Sequence, residues 1–156
     1  MIRRFNPFRR KAKSFFTEGE NHSIVKAIRH AEQQTSGEVR VFVESRCSWV
    51  DAIDRATEVF HSLKMENTGQ RNAVLIYVAI KDRQLAVFGD EGIHQKVGNE
   101  YWNKVVGEML SSFNVNNYAV GISNCVIQIG EALKTHFPYN RKTDKNELPD
   151  TIVFGR

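Results

Sequence analysis

The segment RNAVLIYVAIKDRQLAVFGDEG, residues 71–92, reads as a buried β-hairpin. Asn72 to Ile80 is almost wholly apolar and rich in β-branched residues. An apolar run without alternation suits a strand covered on both faces. Lys81-Asp82-Arg83 supplies a polar turn, and Gln84 to Phe88 a second, shorter strand. Gly89-Asp90-Glu91-Gly92 follows as a loop, with two carboxylates between glycines that allow unusual backbone angles.

On the N-terminal side, Glu38 to Glu44 (EVRVFVE) alternates. Val39, Val41 and Val43 face one way, and Glu38, Arg40, Phe42 and Glu44 the other, as in a strand nearer a sheet edge. Between this strand and the hairpin, Ala52, Ile53, Ala56, Val59, Phe60 and Leu63 form a helical stripe, with Ser48 and Asp51 as its N-terminal cap. Strand, helix and strand in this order predict a parallel βαβ unit of right-handed crossover. A preceding helix starts near Thr17, where Thr17-Glu18-Gly19-Glu20 fits a capping box, and ends in Gln33-Gln34-Thr35-Ser36-Gly37, where Gly37 is a natural stop. After the hairpin, residues 93–98 read as a short helical turn. Two amphipathic helices follow, over Tyr101–Phe113 and Tyr118–Leu133. Phe137-Pro138-Tyr139 ends the last, residues 140–150 read as a polar loop, and Thr151–Phe154 as an edge strand or an apolar clamp. The expected fold class is α/β: a three-layer α/β/α sandwich with a small mixed sheet flanked by helices.

At 156 residues, with no internal repeat, the chain fits one domain over residues 15–156 behind a basic tail, residues 1–14. The net charge of +4 is a property of that tail. Arg3, Arg4, Arg9, Arg10, Lys11 and Lys13 account for six of 22 basic residues, leaving 16 against 18 acids. With Phe5, Phe8, Phe15 and Phe16 interspersed, the tail could make a peripheral contact with an anionic membrane surface. No specific nucleic-acid contact is expected. No apolar run approaches the roughly 18–20 residues of a membrane span, and the N-terminus lacks the apolar core of a signal peptide. Cys47 and Cys125 lie far apart and read as free thiols of a reducing, cytoplasmic compartment. A monomer is expected.

Common catalytic signatures are missing: no P-loop, dinucleotide fingerprint, zinc-protease helix, EF-hand loop or nucleophile elbow occurs. What remains is geometric. If the strands at 38–44 and 72–80 run parallel, their N-terminal ends share one end of the sheet, and the returning hairpin arm reaches it too. Ser36, Gly37, Glu38, Arg71, Asn72, Asp90 and Glu91 then converge. Carboxylates, an amide and a hydroxyl suit a hard cation such as calcium or magnesium. Arg71 could neutralise a carboxylate or grip a phosphate oxygen pair. The plainer alternative is a solvated loop closed by a salt bridge. Glu44, Asp82 and Arg83 gather at the opposite end as a weaker cluster, explained by turn chemistry.

Ser36-Gly37-Glu38-Val39-Arg40-Val41, Arg71 to Ala79, Asp82-Arg83 and Gly89-Asp90-Glu91-Gly92-Ile93, in that order, resemble the TPM domain family. Asn146-Glu147-Leu148-Pro149-Asp150 with Phe154-Gly155 resembles the ending of its short, stand-alone bacterial members. The resemblance runs from about Phe15 to Gly155. It implies an α/β/α sandwich, divalent-cation binding, chiefly of calcium, at one end of the sheet, and, for some plant members, acid phosphatase activity. Matched residue by residue, it points to Glu38, Asn72, Asp90 and Glu91 as metal ligands. Two departures stand out: Asn72-Ala73 replaces a common Asn-Gly pair, and Asp90-Glu91 fills a place where a single aromatic is common. The transmembrane helix of many members is also lacking. Three readings of function follow: a divalent-cation-binding domain with an interaction or regulatory role; a metal-assisted acid phosphatase acting on phosphomonoesters, with Arg71 steadying the phosphate; and a metal-free module that binds an unknown protein partner.

Overall fold

The computed structural model describes residues 15–47, 49–140 and 151–155. The chain runs α1 (Glu18–Glu32), β1 (Glu38–Glu44), α2 (Ala52–Ser62), β2 (Ala73–Ala79), β3 (Gln84–Gly89), α3 (Glu91–Asn114), α4 (Tyr118–His136) and β4 (Val153–Phe154). The basic tail, Ser48 of the expected cap and the loop at 141–150 lie outside the described residues.

The expected hairpin is present. β2 and β3 pair antiparallel from Val74↔Gly89 to Ala79↔Gln84. β2 pairs parallel with β1 from Glu38↔Ala73 to Glu44↔Ala79, so the βαβ unit is also present. β4 joins β1 parallel across Phe42 and Val43 only, giving the order β3-β2-β1-β4. The segment at 151–154 is therefore a short edge strand, and β1 lies nearer an edge than β2, as its alternation suggests.

Strand periodicity sorts the side chains into two cores. Val39, Val41, Val43, Val74, Ile76, Val78 and Val87 pack under α1, α3 and α4. Phe42, Leu75, Tyr77 and Ala86 pack under α2 through Ala56, Val59 and Phe60. Among the described residues the sandwich thus has three helices on one face and one on the other.

Several local expectations need correction. β1 alternates in sequence, and both of its faces are covered: every residue of it is buried, the charged ones included. The helix α1 opens with the expected capping box: Thr17 Oγ1 accepts from the Glu20 N–H at 3.1 Å, and Glu20 Oε1 from the Thr17 N–H at 3.0 Å. It ends at Glu32 with Gln33 as its C-cap, at the start of the expected Gln33–Gly37 stop, so Gly37 itself is not the cap. Gly37 serves packing instead, since a Cβ there would lie 2.7 Å from the Leu133 side chain. The Gly89–Gly92 loop is in fact the start of α3: Asp90 is its N-cap and Glu91 its first residue. Residues 93–98, by contrast, form the expected short helical segment within α3, set off from the longer helix after it by a break at Gly98, whose φ of 75° and ψ of 175° are non-helical.

Candidate functional site

The corner where the N-terminal ends of β1 and β2 meet the end of β3 is built around Asp90. Its N–H donates to the Ala73 carbonyl at 2.9 Å, extending the hairpin ladder by one bond. Its Oδ1 accepts from the Glu91 N–H at 2.8 Å, capping α3. Arg71 grips the same carboxylate with both arms of its fork, Nε to Oδ2 at 2.6 Å and Nη2 to Oδ1 at 2.9 Å. Such bidentate charge-assisted pairs are the strong ones. The bond to Asp90 raises the Arg71 pKa above its ordinary value. Glu91 stands 3.4 Å from Arg71 Nη1 and is well exposed.

Backbone geometry fixes this arrangement. Arg71 adopts a left-handed φ of 52°. Its carbonyl accepts from the Gly92 N–H at 2.8 Å. A Cβ on Gly92 would run into the Gln70 carbonyl and lie 2.7 Å from that of Arg71, so only glycine lets the two backbones approach. Gly89 is equally constrained: the Trp102 ring fills the space of its missing Cβ.

Beside this cluster, Asn72 is 1% exposed. Its Nδ2 donates to Ser36 Oγ at 3.2 Å, and its backbone N–H to Thr68 Oγ1 at 3.3 Å. Its Oδ1 is buried with no hydrogen-bond partner. Glu38 is buried too, with its N–H donating to the Asn72 carbonyl at 3.4 Å. Burial lowers the Arg40 pKa, against the opposing influence of Glu32 and Glu38.

The sequence-predicted residues are thus only partly brought together. Arg71, Asp90 and Glu91 form one ion-pair cluster, and Asn72 sits with Ser36. Among the described residues no three His, Cys, Asp or Glu side chains form a group able to hold a metal ion. The expected trio of carboxylates is not assembled: Glu38 lies beside Ala73 on one flank of β2 and Asp90 bonds to Ala73 on the other, so β2 stands between them.

Other features escape sequence reasoning. A groove of about 720 Å³ runs along β3 from Ile53 and Val106 to His61, His94 and the Arg71 cluster. Trp102 Nε1 and His94 Nδ1, 3.0 Å apart, join its wall. A tryptophan and a histidine eight residues apart across a helix break give no recognisable pattern. The opposite end of the sheet is internally satisfied. Glu44 is gripped by Arg55, Nε to Oε2 at 2.8 Å and Nη2 to Oε1 at 3.0 Å, and accepts from the Tyr77 hydroxyl. Asp82 Oδ2 accepts from the Cys47 N–H at 2.7 Å, so it ties the hairpin turn to the loop after β1.

A family model described as TPM domain matches residues 10–132. The chain belongs to the TPM domain family. The BA42 protein of the psychrophilic bacterium Bizionia argentinensis, solved by NMR, is 41% identical. The match covers 90% of this TPM chain and 96% of that one, with a TM-score of 0.83. Two more distant NMR structures share the fold. The N-terminal domain of a protein from P. gingivalis has 14% identity and a TM-score of 0.66, over 81% of this chain and 83% of that one. The N-terminal domain of the cg2496 protein from Corynebacterium glutamicum has 12% identity and a TM-score of 0.58, over 77% and 75%. No curated protein matches. Among the described residues of this TPM domain, no helix is long and apolar enough to cross a membrane.

Proposed function

We propose that this TPM domain binds a divalent cation, calcium foremost, at the Asp90 corner, in an interaction or regulatory role. The observation that carries the reading is the Asn72 Oδ1, a buried carbonyl-type oxygen without a partner, one residue along the chain from the Arg71 that grips Asp90. Leaving such an oxygen unsatisfied costs about 1–3 kcal/mol, which a hard cation would recover. Asp90 and Glu91 would supply anionic oxygen ligands, Asn72 a neutral one, and water the rest. Arg71 acts as the resident counter-charge. Its side chain is 41% exposed, so the guanidinium can move into solvent when a cation takes its place on Asp90.

The test is a calcium titration followed by amide NMR, with magnesium for comparison. Saturable shifts are expected at residues 71–72 and 89–92, and Asp90→Asn should abolish them. Arg71→Asn, which keeps a residue tolerant of the left-handed conformation, should tighten calcium binding roughly tenfold, equivalent to about 1.4 kcal/mol. Absence of saturable shifts at millimolar calcium would end the proposal. Phosphomonoester hydrolysis has weaker support, because the Arg71 fork faces two carboxylates that would repel a phosphate dianion.

A further inference from the structure

We propose that β3 is a docking edge: an extended apolar peptide with a lysine or arginine at its N-terminal end adds antiparallel to β3 in the groove between α2 and α3. The first ground is the backbone. Among the described residues β3 is the last strand on its side of the sheet. The bond from the Asp90 N–H to Ala73 sets the phase of the β2–β3 ladder. In an antiparallel pair inward and outward groups alternate, so Leu85, Val87 and Gly89 aim their N–H and C=O groups away from β2. Among the described residues no backbone bond outside the ladder reaches these three. All three line the 720 Å³ groove. A free row of alternating donors and acceptors is matched by one kind of ligand, another extended backbone.

The second ground is the groove's walls, which are polarised. Its Leu85 end is apolar, flanked by Ile53 and Val106. Ile53 is 48% exposed, and just before α2 Val50 is 44% exposed and Trp49 fully exposed. Trp49 also adopts a left-handed φ of 72°. The Gly89 end carries Arg71, Asp90 and Glu91. Arg71 pairs with both carboxylates, so this end holds one cation against two anions and keeps an excess negative charge beside the exposed Glu91. An antiparallel strand brings its N-terminal residue to that end, so a basic residue belongs there.

A second copy of this chain fits poorly. Ala86 and Val87 are only 6% and 5% exposed although β3 lies at the edge. The strand is recessed between its flanking helices, and two recessed strands cannot reach each other. A single peptide can enter.

The probes are three acetylated octapeptides, KVTVTVTV and its leucine and phenylalanine equivalents, titrated without calcium into the full isotope-labelled chain. That condition separates failure here from failure of the cation proposal. At least one peptide should give saturable shifts at Leu85, Val87 and Gly89 and slow amide exchange there tenfold or more. Alternate N-methylation of that peptide should abolish binding, and glutamate in place of its lysine should weaken it about tenfold. Leu85→Pro, which deletes one outward donor, should remove binding. In case that variant folds badly, Ile53→Glu on the exposed wall should weaken binding tenfold with an unchanged melting temperature. The proposal is overturned if none of the three binds at millimolar concentration or if N-methylated peptide binds as well. A concentration-dependent dimer lost on Ile53→Glu would overturn it too.

Discussion

Burying the carboxylate of Glu44 would be costly without a counter-charge. Arg55 and Tyr77 offset that cost, and the Glu44 bond raises the Arg55 pKa above its ordinary value. Burial, followed by the bond to Glu44, raises that of Tyr77. Removing Arg55 leaves the buried charge alone, so Arg55→Ala should lose about 3 kcal/mol of stability in urea titrations. Adding Glu44→Gln to that variant should recover much of the loss, because the orphaned charge goes with it. Residues of this kind were poorly legible in the sequence. EVRVFVE predicts a strand correctly but does not show that Glu38, Arg40 and Glu44 are buried, and the Arg55 and Tyr77 partners that make the burial of Glu44 tolerable come from other segments. Asp90 was legible as a site candidate, since a carboxylate between glycines at a strand end is conspicuous. Its grip by Arg71 was only one of two roles that the arginine's chemistry allowed.

At the level of elements, legibility followed the strength of the periodic signal. The hairpin, the capped first helix and the stripes of α2 and α4 all lie where their patterns place them, with ends shifted by a few residues. Glycines misled, because a glycine can be required by backbone angle or by crowding, and sequence does not distinguish the two. Gly37, Gly89 and Gly92 answer to crowding. Gly98 answers to angle: nothing lies within 4 Å of a Cβ built there, yet its backbone occupies a region open essentially to glycine alone. Gly98→Ala should therefore cost about 1–3 kcal/mol through strain alone. Thermal melts will show it, and amide shifts should localise the change to the break in α3.

Across the described residues the molecule is lopsided, with three helices over one face of the sheet and one over the other. The α3–α4 contact on the crowded face holds a pH-sensitive group. The Tyr101 hydroxyl donates to the Gln128 carbonyl at 2.9 Å. Burial first, then the nearby Cys125 and Glu108, pushes its pKa up to about 12. An unfolded tyrosine ionises near 10. Between about pH 10 and pH 12 the unfolded chain gives up this proton while the folded one keeps it, so stability falls as pH rises through that window. Tyr101→Phe should flatten that part of the urea-midpoint profile. Tyr77 and Cys125, shifted in the same direction, will leave a residual slope. The sheet order has a further implication, one of timing. β1 is among the first elements to leave the ribosome, yet its outer neighbour is Val153–Phe154, and the Gly155 N–H that donates to Val43 at 2.7 Å comes later still. Until those residues are synthesised, a flank of a valine-rich strand stands uncovered in the nascent chain. Mispairing is most dangerous in that interval. The handful of residues after position 150 would therefore act less as decoration than as the closing stitch of biosynthesis.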